Sequence, residues 1–121
     1  MAKNPTPNDI ARFLPLTPVA FEILLAVAEQ ARHGYAILQE IERSSGGQMR
    51  VNTGTLYRAI GRLADAGLLE ELAERPAADL DDARRVYYAP TRLGRRVAEA
   101  EARRLAAQVR AAKQKKLLRA T

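Results

Sequence analysis

Thr55, Arg58 and Arg62 recur at steps of three and four residues, and no acidic residue stands between Met49 and Ala64. That spacing puts one hydroxyl and two guanidinium groups on a single helix face. Guanidinium groups grip phosphate oxygens and the acceptor edge of guanine, and a hydroxyl donates to backbone oxygens. The chemistry on offer is recognition of a polyanion, not bond-making. Leu56, Ile60 and Leu63 fall at i, i+4 and i+7 of the same stretch, so they form an apolar back that must bury. Asn52 stands where a helix N-cap belongs, and Gly67 where a left-handed cap ends one. The result is a helix from about Thr53 to Ala66 that can rest on a core and offer its outer face to a DNA groove. The same pattern suits an ordinary solvated surface helix, so the flanking segments must decide.

Upstream, Thr17-Pro18 opens a first helix, threonine as cap and proline at the first helical position. Its inward stripe is Val19, Ile23, Leu24, Val27 and Ala28, and it ends near Gln30. Ala31-Arg32-His33-Gly34 reads as a turn, with His33 a turn histidine. A second helix follows from Tyr35 to Arg43, with Ile37, Leu38 and Ile41 inward, until Ser44-Ser45-Gly46-Gly47 breaks it. Downstream, residues 68–73 suit a short strand and residues 85–89 a stronger one. The polar loop of residues 75–83 between them makes the pair a hairpin. Tyr87 and Tyr88 alternate across the second strand, so one should face the core and the other solvent.

Thr91 caps a last, long helix. Along it Ala98, Ala102, Leu105, Val109 and Ala112 alternate in steps of four and three, the spacing of a coiled-coil seam. Side chains this small need a large surface to pack on, either their own domain or a second copy of the chain. The polar, proline-broken residues 1–15 read as a loose arm. The order of elements describes a mainly α fold with a small β-hairpin, a winged helix-turn-helix. Residues 16–90 form that domain, and residues 91–121 a C-terminal dimerisation helix with a basic tail.

Composition narrows the function further. A chain of 121 residues suits one domain with a modest core. It has no cysteine, so thiolate metal sites, disulfides and a cysteine nucleophile are excluded. One histidine and no clustered carboxylates in a Gly-rich cradle leave no constellation for an enzyme, a metal or a cofactor. No apolar run approaches twenty residues, so no membrane span is expected and the cytoplasm is the default location. Net charge is +6, but residues 91–121 alone carry +8 and the first ninety −2. Such a balance favours a polyanionic partner, and it also suits a merely solubilising tail.

Leu16-Thr17, Ile23-Leu24, His33-Gly34-Tyr35, Gly54-Thr55-Leu56-Tyr57, Arg62-Leu63, Gly67-Leu68-Leu69, Arg85-Val86-Tyr87-Tyr88 and Thr91-Arg92-Leu93-Gly94 occur in this order. Together they resemble the PadR-type transcriptional regulators over about residues 16–96. The short C-terminal region resembles the small subfamily, with one helix after the wing. The resemblance implies a homodimeric repressor on a palindromic operator in double-stranded DNA, with the long C-terminal helix in the dimer contact. The helix at Thr53 would then be the recognition helix.

Its residues take roles accordingly. Asn52, Thr53 and Gly54 form the helix start, where Gly54 lets amides approach a phosphate at the positive end of the dipole. Thr55 and Tyr57 offer hydroxyls to backbone oxygens, and Arg58 and Arg62 reach base edges or phosphates. Tyr35 reaches a phosphate from the second helix or is partly buried, and Tyr57 touches DNA or packs on the first helix. Arg84 and Arg85 at the wing base reach the backbone, while Asp79, Asp81 and Asp82 in the wing loop are repelled by it. Small members of the family bind flat aromatic compounds at the dimer centre, some on a tryptophan platform. This chain has no tryptophan, which argues against that mode and leaves a small-molecule effector open. The other function class is a winged-helix protein-interaction module, whose third helix is scaffold alone.

Overall fold

The computed structural model describes residues 4–72 and 86–119. Its elements are α1 (Pro7–Ala11), α2 (Pro18–Ala26), β1 (Arg32–His33), α3 (Gly34–Ser44), α4 (Thr53–Asp65), β2 (Leu69–Glu71), β3 (Tyr87–Pro90) and α5 (Arg92–Gln114). Each of the longer helices starts on a side chain that accepts a first-turn amide. Thr17 accepts from Ala20, His33 from Ala36, Asn52 from Thr55 and Thr91 from Gly94. Such caps are worth about 1 kcal/mol each.

The core is one apolar cluster. Ile23, Leu24 and Val27 come from the α2 segment, Ile37 and Ile41 from α3, and Leu56, Ile60 and Leu63 from α4. Leu68, Leu69 and Val97 complete it from the sheet and α5. Full burial of one such side chain contributes about 1.5–3 kcal/mol, so the α4 triplet alone fixes which way that helix faces. Gly67 ends α4 at φ +81°, where only glycine is unstrained, and the Leu68 amide then closes on the Leu63 carbonyl at 2.8 Å.

Three elements differ from the sequence reading. The expected hairpin is a three-stranded antiparallel sheet in the order β1-β3-β2. The stretch read as a turn at residues 31–34 supplies its third strand, Arg32 opposite Tyr88 and His33 opposite Tyr87. Secondly, α2 stops at Ala26, four residues before Gln30. There the Arg32 Nε donates to the Ala26 carbonyl at 2.7 Å and Arg95 to that of Ala28 at 3.0 Å. Two cations thus satisfy end carbonyls and the negative pole of the helix. Thirdly, within the supposed loose arm, residues 4–15 hold α1, closed by a reciprocal Thr6–Asp9 capping box. Ile10, Phe13 and Leu14 pack against the core.

α5 is fitted tightly. A Cβ on Gly94 would collide with the Leu68 backbone carbonyl, so only glycine allows this approach. Thr91 donates its hydroxyl to the Gly67 carbonyl at 2.5 Å and caps α5 at once. Further along, Glu101 is buried, bound bidentately by Arg104 at 2.7 and 2.8 Å. The backbone of Leu16, in the segment before α2, also favours its charged form. The Arg104 hydrogen bonds hold the Glu101 carboxyl below the usual carboxylate range against the opposing pull of burial.

Candidate nucleic-acid interface

α4 presents the surface its sequence implies. Leu56, Ile60 and Leu63 are buried, while Asn52, Thr53, Gly54, Tyr57, Arg58, Gly61 and Arg62 are exposed and Thr55 half-buried. Among the described residues, Arg58 and Arg62 have no carboxylate partner. Asp65 is the one acid of this helix, at its C-terminal end, so the exposed face is cationic over nearly all its length.

The helix start is an anion site in geometry. Asn52 Oδ1 takes the Thr55 amide at 2.8 Å, and the Asn52 carbonyl takes that of Leu56 at 3.0 Å. The amides of Thr53 and Gly54 are left without an acceptor among the described residues, at the positive pole of the dipole. Arg58 folds back over this end, its Nη2 donating to Thr55 Oγ1 at 3.3 Å. A Cβ on Gly54 would stand 3.3 Å from the Arg58 Nη1. Two amides, a hydroxyl and a guanidinium therefore converge on one spot that suits a phosphate.

Tyr57 packs at the junction of α3 and α4. Its ring lies over Gly34 at the start of α3, where any Cβ would overlap it, yet it remains 47 % exposed. Tyr35, one residue along, is 58 % exposed, so the partly buried reading fails for it. Glycine at 34 thus makes room for the Tyr57 hydroxyl and ring edge at the α3–α4 junction. Tyr87 is buried and edge-on to His33, with centroids 5.4 Å apart, while Tyr88 is half-buried. Burial, then the nearby Glu71, pushes the Tyr88 hydroxyl above its usual range, so it stays a donor.

Arg84, Arg85 and the wing-loop acids lie outside the described residues. Sequence reasoning missed Gly61, which no side chain approaches within 4 Å. It lies two turns after Gly54 on the same face, so the backbone at Gly61 is bare on the exposed side. The signal was a glycine inside a helix, costly unless something must come close.

The seam residues stand on α5 as a partly uncovered strip. Ala98, Leu105 and Ala112 are half-buried, and Ala102 and Val109 are exposed, Val109 at 45 %. Ala98 and Ala102 border a shallow apolar groove of about 170 Å³ shared with Leu24, Leu25 and Ala28 of the α2 segment. Leu25 on its rim is 49 % exposed.

A helix-turn-helix whose second helix carries unpaired cations, backed by a small sheet, defines a winged-helix regulator of the nucleic-acid-binding class. The PadR-like family of transcriptional regulators matches residues 23–100, and the chain belongs to it. Solved structures agree on the fold. A transcriptional regulator from Clostridium thermocellum is 20 % identical at TM-score 0.66, with 90 % of this chain and 95 % of that one covered. RosR of H. salinarum, in its RosR-S1 complex, is 30 % identical at TM-score 0.61, with 83 % and 79 % covered. Bacillus subtilis PadR in complex with operator DNA is 17 % identical at TM-score 0.57, with 71 % and 47 % covered. Among curated proteins none matches significantly. Members of the family are transcription regulators and not enzymes. No helix among the described residues is long and apolar enough to cross a membrane.

Proposed function

We propose that this regulator is a homodimeric repressor that reads a palindromic operator through α4, in the cytoplasm, with a small-molecule effector controlling release. The observation that carries the DNA reading is the unpaired cationic face of α4 beside two unsatisfied amides. The phosphate sits at Thr53 and Gly54 with Asn52 and Thr55 around it, and Tyr35 and Tyr57 donate to neighbouring backbone oxygens. Arg58 and Arg62 reach into the groove, and Arg84 and Arg85 brace the wing side. The operator complex of B. subtilis PadR supports this arrangement by likeness of fold.

The second copy belongs on the strip Ala98, Ala102, Leu105, Val109 and Ala112, because the apolar groove beside Leu25 lacks a cover in the single chain. Residues 16–90 then act as the reading domain and residues 91–121 as the coupling arm. Selection from random DNA should return a palindrome with half-sites about one helical turn apart. R58A/R62A should abolish the preference for the selected duplex over unrelated sequence while the dimer persists by sedimentation. An undiminished affinity of that variant would remove the arginines from the interface.

A further inference from the structure

The structure assigns a second duplex-binding face to this protein, on the outer side of α5, separate from the α4 reading face. Arg92, Arg96, Arg103 and Arg110 are all exposed, at spacings of four, seven and seven residues along one helix. These steps keep them within about 40° of one another around the axis. The seam strip of Ala98, Ala102, Leu105 and Val109 lies a third of a turn or so away, so one helix serves both. Seven residues rise about 10.5 Å, close to the roughly 12 Å width of the DNA major groove. Successive arginines can therefore reach phosphates on opposite banks.

Of the ladder, Arg96 alone shares a carboxylate among the described residues. Glu101 is buried against Arg104, and Glu99 sits 3.7 Å from Arg95 and 3.9 Å from Arg96. Between Ala102 and Arg119 the sequence has seven Lys/Arg and no acid. Arg103 and Arg110 have no carboxylate partner among the described residues. The ladder's neighbours on its face are Glu99, Ala106, Ala107 and Gln114, with no aromatic or leucine of the helix to enter a bilayer, so a phosphate backbone fits better than an anionic membrane. Backbone contact without base edges gives sequence-independent, strongly salt-dependent binding.

This inference rests on the DNA-binding reading, but its test separates the two. Full-length R58A/R62A is titrated by fluorescence anisotropy against a 20-bp duplex of unrelated sequence between 50 and 200 mM salt, values chosen for the range in which counterion release is steep. Binding should persist with a log–log slope of about −3 or steeper. Adding R103Q, R110Q and K113Q, all on exposed positions, should weaken it about tenfold and flatten the slope by about 2–3. The same three glutamines in the otherwise unchanged protein should leave its preference for the selected palindrome intact. A slope unmoved by the glutamines overturns the proposal, as does loss of all duplex binding in R58A/R62A. Tighter binding to phosphatidylserine vesicles than to duplex at equal salt overturns it in favour of a membrane. If R58A/R62A keeps its palindrome preference, the α4 reading fails instead.

Discussion

Gly61→Ala separates folding from recognition because the two respond in opposite directions. No atom lies within 4 Å of the added Cβ, and the backbone there is ordinary α-helix, so nothing in the folded chain resists it. Replacing an interior helical glycine by alanine then stabilises by about 0.5–1 kcal/mol, chiefly by restricting the unfolded chain. In a domain of this size the midpoint should rise by about 2–6 °C. On the DNA side the same methyl stands on bare backbone about one turn beyond Tyr57 and Arg58. If the groove approaches there, the helix is held off and at least one charge-assisted hydrogen bond from Arg58 or Arg62 is lost, worth about 1.5–3 kcal/mol. That is a ten- to hundredfold weaker complex. A thermal melt and an anisotropy titration on the same preparation measure both effects. A variant that melts higher yet binds undiminished would refute the placement of this strip against DNA.

Gly94→Ala should do the reverse, since its Cβ meets the Leu68 backbone rather than a yielding side chain. Overpacking plus strain on the 3.1 Å Thr91–Leu68 bond should cost about 2–4 kcal/mol, read as a lowered urea midpoint. Glu101→Gln probes the α5 anchor. Because the folded carboxyl ionises below its usual 4.5, its stabilisation is complete above that value and is lost as pH falls through the folded pKa. The variant should lose about 1–2 kcal/mol at neutral pH, less than a fully buried pair because Arg104 is one-third exposed. It should also show a shallower loss of stability on acidification, and an unchanged acid limb would dismiss the pair. Ala102→Glu places a charge on the proposed seam and should give monomers in sedimentation equilibrium with α-helical content preserved; a persistent dimer would move the interface elsewhere.

What could be read from the sequence was what local chemistry determines. Asn52, the Leu56–Ile60–Leu63 period and Gly67 lie within sixteen residues, so α4 was legible almost to its ends. β1 was not, because two residues carry no period and its partner Tyr88 lies over fifty residues away. α1 was hidden for a related reason: five residues show no stripe, and its capping box satisfies amides that a longer helix would satisfy itself. Arg32 and Arg95 ended α2 early through contacts that no pattern within that helix announces. Glu101 looked like one more surface acid, since its burial comes from packing beside Leu16 and Pro18, far up the chain. At the reading face, Tyr57 needed the absence of a side chain at Gly34 to be placed, a fact of packing between two helices.

The two arginines at the end of α2 have a consequence for the DNA itself. They clamp α5 and the sheet to the helix on which α4 packs, so these parts turn together. In the proposed dimer the angle between the two reading helices is then a fixed property of the protein. One inserted base pair rotates a half-site by roughly 35° about the duplex axis. With seam helix and reading head tied through these contacts, that rotation has to be taken up by twisting the DNA. Spacer length between half-sites should thus be read as stringently as any base, although no side chain touches it.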